Sequence, residues 1–167
     1  MRIIGCAIIL AAAACGDANQ QADSETDACP PGVSVVDAWT KPARAGQPVS
    51  AAYLTVCNGG DTADALIGVS SVGEPVAASI ETHLSEMTDG VMSMNQVGRI
   101  DLPAGERTRF EPGGAHIMLI GVEQDIANGA EPTFMLEFEN AEPIHRAFEV
   151  RGEHDGNADS DDGHGHH

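Results

Sequence analysis

From Val33 to Val150 apolar and polar residues alternate in short runs. Val33–Trp39, Ala51–Cys57, Ala65–Val72, Ala77–Leu84, Arg107–Glu111, His116–Val122, Thr133–Glu139 and His145–Val150 each show period-two or β-branched character. Phe134-Met135-Leu136-Glu137-Phe138 is a clear instance. Between the runs stand turn formers: Asn58-Gly59-Gly60-Asp61, Gly73-Glu74-Pro75, Asp89-Gly90, Pro103-Ala104-Gly105, Pro112-Gly113-Gly114 and Glu142-Pro143. No stretch of 11 or more residues keeps a helical period. Short strands at this spacing predict an all-β protein, an antiparallel β-sandwich or small barrel of about 110–120 residues.

The two ends break the pattern. Met1-Arg2 precedes a small, apolar run from Ile3 to Ala14. That is the layout of an export signal, and the run is too short for a hydrocarbon core that takes about 20 helical residues. Ala12-Ala13-Ala14-Cys15 resembles the lipobox of bacterial lipoproteins, which implies that Cys15 carries lipid and becomes the first mature residue. Ordinary secretory cleavage near the same point is the alternative. The expected organisation is a cleaved signal over 1–14, a flexible acidic tether over 15–30, a folded body over 31–151 and a disordered tail over 152–167. The tether and the Gly/Asp/His tail hold too little apolar surface to fold.

Composition narrows the function. The chain of 167 residues holds 26 Asp and Glu against 8 Lys and Arg, a formal charge of −18. With its few cations scattered and 4% aromatic residues, it has neither the basic surface nor the stacking platform of a nucleic-acid binder. A cationic partner or a metal ion fits better. Of four Cys, Cys6 lies in the signal and Cys15 at the lipobox. Cys29 and Cys57 remain, and in an oxidising compartment they form most simply a structural disulfide. A redox or metal-binding dithiol is the alternative, without a C-x-x-C spacing to support it.

Methionine use points to chemistry. Met87, Met92 and Met94 crowd one stretch, Glu86 to Met94, that reads as a Gly- and Asp-bearing loop following His83. His116 and Met118, two apart on a strand, face one way. Thioether and imidazole together form a soft, neutral donor set suited to Cu(I) and poor for Mg²⁺ or Ca²⁺. Single methionines are more often core filler, which is the expectation for Met135; His145 reads as a surface side chain.

The spacing His83-x10-Met94-x21-His116-x-Met118 resembles the H-x10-M-x21-H-x-M signature of the periplasmic copper chaperones called PCu(A)C. Val36-Asp37-Ala38-Trp39 with Pro42, Ser50-Ala51-Ala52-Tyr53-Leu54, and Pro112-Gly113-Gly114-Ala115-His116-Ile117-Met118-Leu119 resemble other segments of that family. The resemblance implies a cupredoxin-like sandwich and Cu(I) ligands at His83, Met94, His116 and Met118, with Met87 and Met92 near enough to compete. It also implies a non-enzymatic carrier in the bacterial periplasm; the lipobox implies its anchoring to a membrane, and a monomer is expected. Its acceptor would be the CuA centre of cytochrome c oxidase subunit II or a Sco-type protein.

In the tail, His154, His164, His166 and His167 alternate with Asp residues, a combination suited to Cu(II) or Zn²⁺; the bland reading is a solvated acidic tail. Three other functions compete. A blue-copper electron carrier requires a Cys beside its His ligands, and none stands near His116. An enzyme requires a nucleophile–base pair, which nothing in the sequence resembles, or an open three-His site, which the body lacks unless His145 joins. An Ig-like structural or adhesion module, with metal binding confined to the tail, would be indifferent to loss of His116 and Met118.

Overall fold

The computed structural model describes residues 29–88 and 90–152. The expected signal, Cys15, the tether up to Ala28 and the tail residues His154, His164, His166 and His167 lie outside the described residues. Eleven strands and no helix make up the described residues: β1 Val33–Thr40, β2 Val49–Asn58, β3 Asp64–Ser71, β4 Ala77–Thr88, β5 Val91–Gln96, β6 Ile100–Leu102, β7 Arg107–Phe110, β8 Ala115–Val122, β9 Thr133–Phe138, β10 Ile144–Ala147 and β11 Glu149–Val150. The all-β expectation holds.

The strands form two sheets. One has seven strands in the order β11-β1-β2-β7-β8-β4-β5, and the other has four in the order β10-β9-β3-β6. The larger sheet is mixed rather than purely antiparallel, because β11 runs parallel to β1 and β7 parallel to β8. Alternation explains the packing. On β2 the inward residues are Ala52, Leu54 and Val56; on β8 they are Ile117 and Leu119; on β9 they are Phe134, Leu136 and Phe138. They meet Leu66, Leu102, Phe110 and Phe148 in a single core between the sheets. Removing this apolar surface from water drives the two layers together, at roughly 1.5–3 kcal/mol for each fully buried large side chain.

Cys29 and Cys57 are disulfide-bonded, with Cα atoms 5.3 Å apart and a sequence separation of 28. Closing a loop of this length stabilises by about 3–4 kcal/mol through the unfolded chain. Just beyond Cys57 the chain passes so close to Pro30 that any Cβ at Gly59 would collide with the Pro30 carbonyl. Gly59 also donates its N–H to the Gly32 carbonyl at 2.8 Å. Bridge and glycine together fix the start of the folded body against the end of β2.

Three local expectations need correction. His145–Val150 is not one strand: β10 ends at Ala147, Phe148 turns into the core, and β11 joins the other sheet. Glu86 to Met94 is not a loop: β4 runs on to Thr88 and β5 starts at Val91, so the stretch is a hairpin turning at Gly90, whose φ is 79°. Its period was hard to read because Val91, Met92 and Met94 are all exposed, so no buried face marks the alternation. Met135 is not core filler. Phe134 and Leu136 take the inward positions of β9, which leaves Met135 half-buried on the opposite face, in register with His145 of β10. His145 itself is exposed, as expected.

Candidate metal centre

In the larger sheet β4 lies between β8 and β5. Its inward residues, Ile80 and Leu84, pack against the core. Its outward residues are therefore Glu81, His83, Ser85 and Met87, at alternate positions. Register then decides their neighbours. His83 stands opposite His116 and Glu81 opposite Met118 on β8; Ser85 stands opposite Met94 and Met87 opposite Met92 on β5. Directly opposed residues of antiparallel strands share a face, with Cβ atoms about 5 Å apart. The structure thus brings His83, Met94, His116 and Met118 together from three adjacent strands. Met87 and Met92 lie further along the same face, toward the hairpin turn.

The two imidazoles have ring centroids 5.8 Å apart, at an interplanar angle of 33°. A metal–nitrogen bond of about 2 Å puts two ligating rings at most ~6 Å apart, centre to centre. The separation is one that a single ion can bridge.

Hydrogen bonds orient both rings. The Pro112-Gly113-Gly114 turn, with Gly113 at φ 84°, returns the chain into β8. It presents the Gly114 carbonyl, which accepts from the Ser85 N–H at 3.1 Å and from His116 Nδ1 at 3.0 Å. A carbonyl only accepts, so Nδ1 carries the proton and the lone pair of His116 is on Nε2. His83 Nε2 lies 3.0 Å from Glu81 Oε2, and Glu81 Oε1 accepts from Ser79 Oγ at 3.0 Å. Donation from Nε2 to the carboxylate leaves the His83 lone pair on Nδ1. That Nδ1 is buried without a hydrogen-bond partner, and so is Ser85 Oγ beside it. Orphaned polar atoms are rare in folded proteins and costly, by about 1–3 kcal/mol each. Two of them stand on successive outward positions of β4.

The face opens into a cavity of about 620 Å³, lined by Tyr53, Ser85, Met94, His116 and Met118 among others, but not by His83. Exposure across it is graded. His116 is 5% exposed, whereas Met94 is 56% exposed. A bound ion would sit with imidazole beneath it and thioether toward solvent. No group of three or more His, Cys, Asp or Glu able to hold a metal occurs among the described residues.

Glu81, Ser85 and the Gly114 carbonyl were not anticipated from the sequence. Glu81 was readable in principle, being two residues before His83 on a predicted strand. Ser85 fell beyond the expected strand end at Leu84, and the Gly114 carbonyl has no side-chain signal.

Comparison with known proteins agrees with this architecture. The Copper-bound PCuAC domain from PmoF2 shares the fold at a TM-score of 0.60 and 24% identity, over 75% of this chain and 97% of that one. The solution structure of CuI-DR1885 from Deinococcus radiodurans does so at a TM-score of 0.59 and 21% identity, over 80% and 87%. The architecture is thus that of PCuAC domains. The family model described as "Putative lipoprotein LpqE-like" matches residues 33–150. A protein of Leifsonia xyli subsp. xyli (strain CTCB07), "Putative lipoprotein Lxx21020", is 31% identical over 150 residues, which cover 89% of this chain and 82% of that one. The chain belongs to the LpqE-like family.

Proposed function

We propose that this protein is a copper carrier, not an enzyme, that binds Cu(I) through His83, Met94, His116 and Met118 and hands it to an accepting cuproprotein outside the cytoplasm. The observation that carries the reading is the buried, unpartnered His83 Nδ1, on the face it shares with His116, Met94 and Met118. Two neutral imidazoles and two thioethers leave the ion its single positive charge and favour Cu(I) over harder cations. Two of the proteins that share the fold are, by their names, copper-bound and CuI forms. The lipoprotein names of the family and of its Leifsonia member support an extracytoplasmic protein held to a membrane through Cys15.

Transfer follows from the graded exposure. Met94 is the accessible donor, and thioethers exchange readily, so an acceptor offering thiolate or imidazole displaces Met94 first. His116, buried and held by the Gly114 carbonyl, lets go last. The acceptor that best fits this chemistry is the CuA centre of cytochrome c oxidase subunit II or a Sco-type thiol protein. The strongly acidic chain would steer a cationic docking patch, with association weakening as salt rises. The His-rich tail would take up Cu(II) or Zn²⁺.

The test is competition for Cu(I) against a chromophoric chelator, on the whole chain and on its Met94→Leu/Met118→Leu variant. X-ray absorption at the copper edge would accompany it. The expected result is one tight Cu(I) with sulfur in its coordination shell, weakened at least ~100-fold in the variant. Equal affinity in both proteins, with only nitrogen and oxygen around copper, would assign the metal to the tail and end the carrier reading.

A further inference from the structure

Half of the large apolar side chains exposed on the described surface belong to one hairpin. Met87, Val91, Met92 and Met94 are 69%, 68%, 52% and 56% exposed. Three of the four are methionine, and all three lie on the face that carries the candidate centre. Met87 stands directly opposite Met92, while Met94 lies two residues along β5 on the same side. A direct cross-strand pair brings Cβ atoms to about 5 Å, and the diagonal neighbour stands at about 7–8 Å, within reach of long side chains. Methionine has three rotatable bonds and no β-branch, so three sulfurs so placed can converge on one point. A merely adhesive hairpin would be served as well by β-branched or aromatic residues, which have the higher strand propensity. What thioether adds is affinity for a soft monovalent ion.

We infer that Met87, Met92 and Met94 form a second, exposed Cu(I) site at the tip of the β4–β5 hairpin, sharing Met94 with the buried centre. The inference rests on the carrier reading and deepens it. An incoming ion is held first by the three thioethers. Met94 then swings it inward to His83, His116 and Met118 as Met87 and Met92 release it; delivery runs the same exchange in reverse. The ion keeps its charge throughout, and no donor gains or loses a proton. With three neutral sulfurs and no imidazole, the tip binds at least ~10-fold more weakly than the centre, as a relay requires.

The experiment is a titration of the whole chain, labelled with [methyl-¹³C]methionine, with Ag(I) as a redox-inert probe. Each methyl resonance is followed, and Met135 on the other sheet serves as the internal reference. The expected result is that Met94 and Met118 shift with the first equivalent, and that Met87 and Met92 shift with the second, which also moves Met94 again because its sulfur is shared. In Met87→Leu/Met92→Leu, whose substitutions are exposed and spare the core, the first step should persist within about twofold and the second methionine response should vanish. Met87 and Met92 standing still through two equivalents while Met118 shifts would overturn the hairpin site and leave the carrier reading intact. All four shifting together with the first equivalent would show one merged site, and overturn the relay. If Met118 never responds, the ligand set of the carrier reading fails, whatever the hairpin does.

Discussion

Residues 116–119 of β8 belong to two different proteins, in effect. Ile117 and Leu119 are fully buried between the sheets, while His116 and Met118 face the other way, into the cavity. The contrast extends across the sheet. Ala52 and Leu54 on β2 and Leu84 on β4 face the core, whereas Tyr53, His83 and Ser85 belong to the opposite face. Because strand side chains alternate, one face holds the register and the other is left free for chemistry. A slip of one residue would put His116 in the core and Ile117 in the cavity. The hydrophobic face thus determines which candidate side chains meet on the other.

This comparison can be broken from either side. The largest effect is expected from the core face. Leu119→Ala should cost about 2–5 kcal/mol in denaturant unfolding, while the folded fraction still takes up one Cu(I) at unchanged affinity. A large affinity loss in that fraction would mean that the two faces are not separable.

An intermediate effect is expected on the site face. Glu81 holds His83 by the 3.0 Å contact to Nε2. Glu81→Gln should leave stability nearly unchanged and weaken Cu(I) binding about tenfold, the lower range for loss of a partner that orients a ligand. Removing an orienting contact also frees the tautomer, so the His83 ring resonances should report a mixture of Nδ1–H and Nε2–H forms in the metal-free variant. A single unchanged tautomer would show that the strand alone orients the ring.

The smallest effect concerns Asp64, at the start of β3 in the smaller sheet. Burial raises its pKa, but the N–H groups of Ala65, Asn140 and Ala141, at 2.7, 2.9 and 2.9 Å, outweigh it and hold the carboxylate below its ordinary 3.8. A depressed folded pKa means stability that is fully present above 3.8 and is lost as pH falls from there through the folded value. In the wild type, unfolding free energy should decline over that acidic interval. Asp64→Asn should flatten the decline, with no effect on metal binding at neutral pH. An identical acid profile in the variant would show that other carboxylates carry it.

Much of this was legible in advance, and for definite reasons. The strand runs around Val33, Ala51, Thr133 and His116 were readable because they bury one face, and burial is what imposes period two. The hairpin was misread as a loop because every residue of β5 is exposed, so the alternation of Met92-Ser93-Met94-Asn95 marks no buried face. Met135 was misassigned because a thioether fits either side of a sheet, and only the neighbouring Phe134 and Leu136 settled the matter. The spacing of His83, Met94, His116 and Met118 singled out the ligand candidates, but spacing does not say which strands are neighbours.

The sequence by itself determined the all-β class, the acidic surface, the cysteine pair and the soft-donor inventory, because each depends on composition or local period. Only the tertiary structure decided that β4 lies between β8 and β5, which sets His83 opposite His116 and Ser85 opposite Met94. It also decided that a Gly114 carbonyl and a Glu81 carboxylate fix the two imidazole tautomers. The reason is physical. Strand order and register emerge from the joint burial of distant segments in one core, and no local stretch of chain encodes that balance.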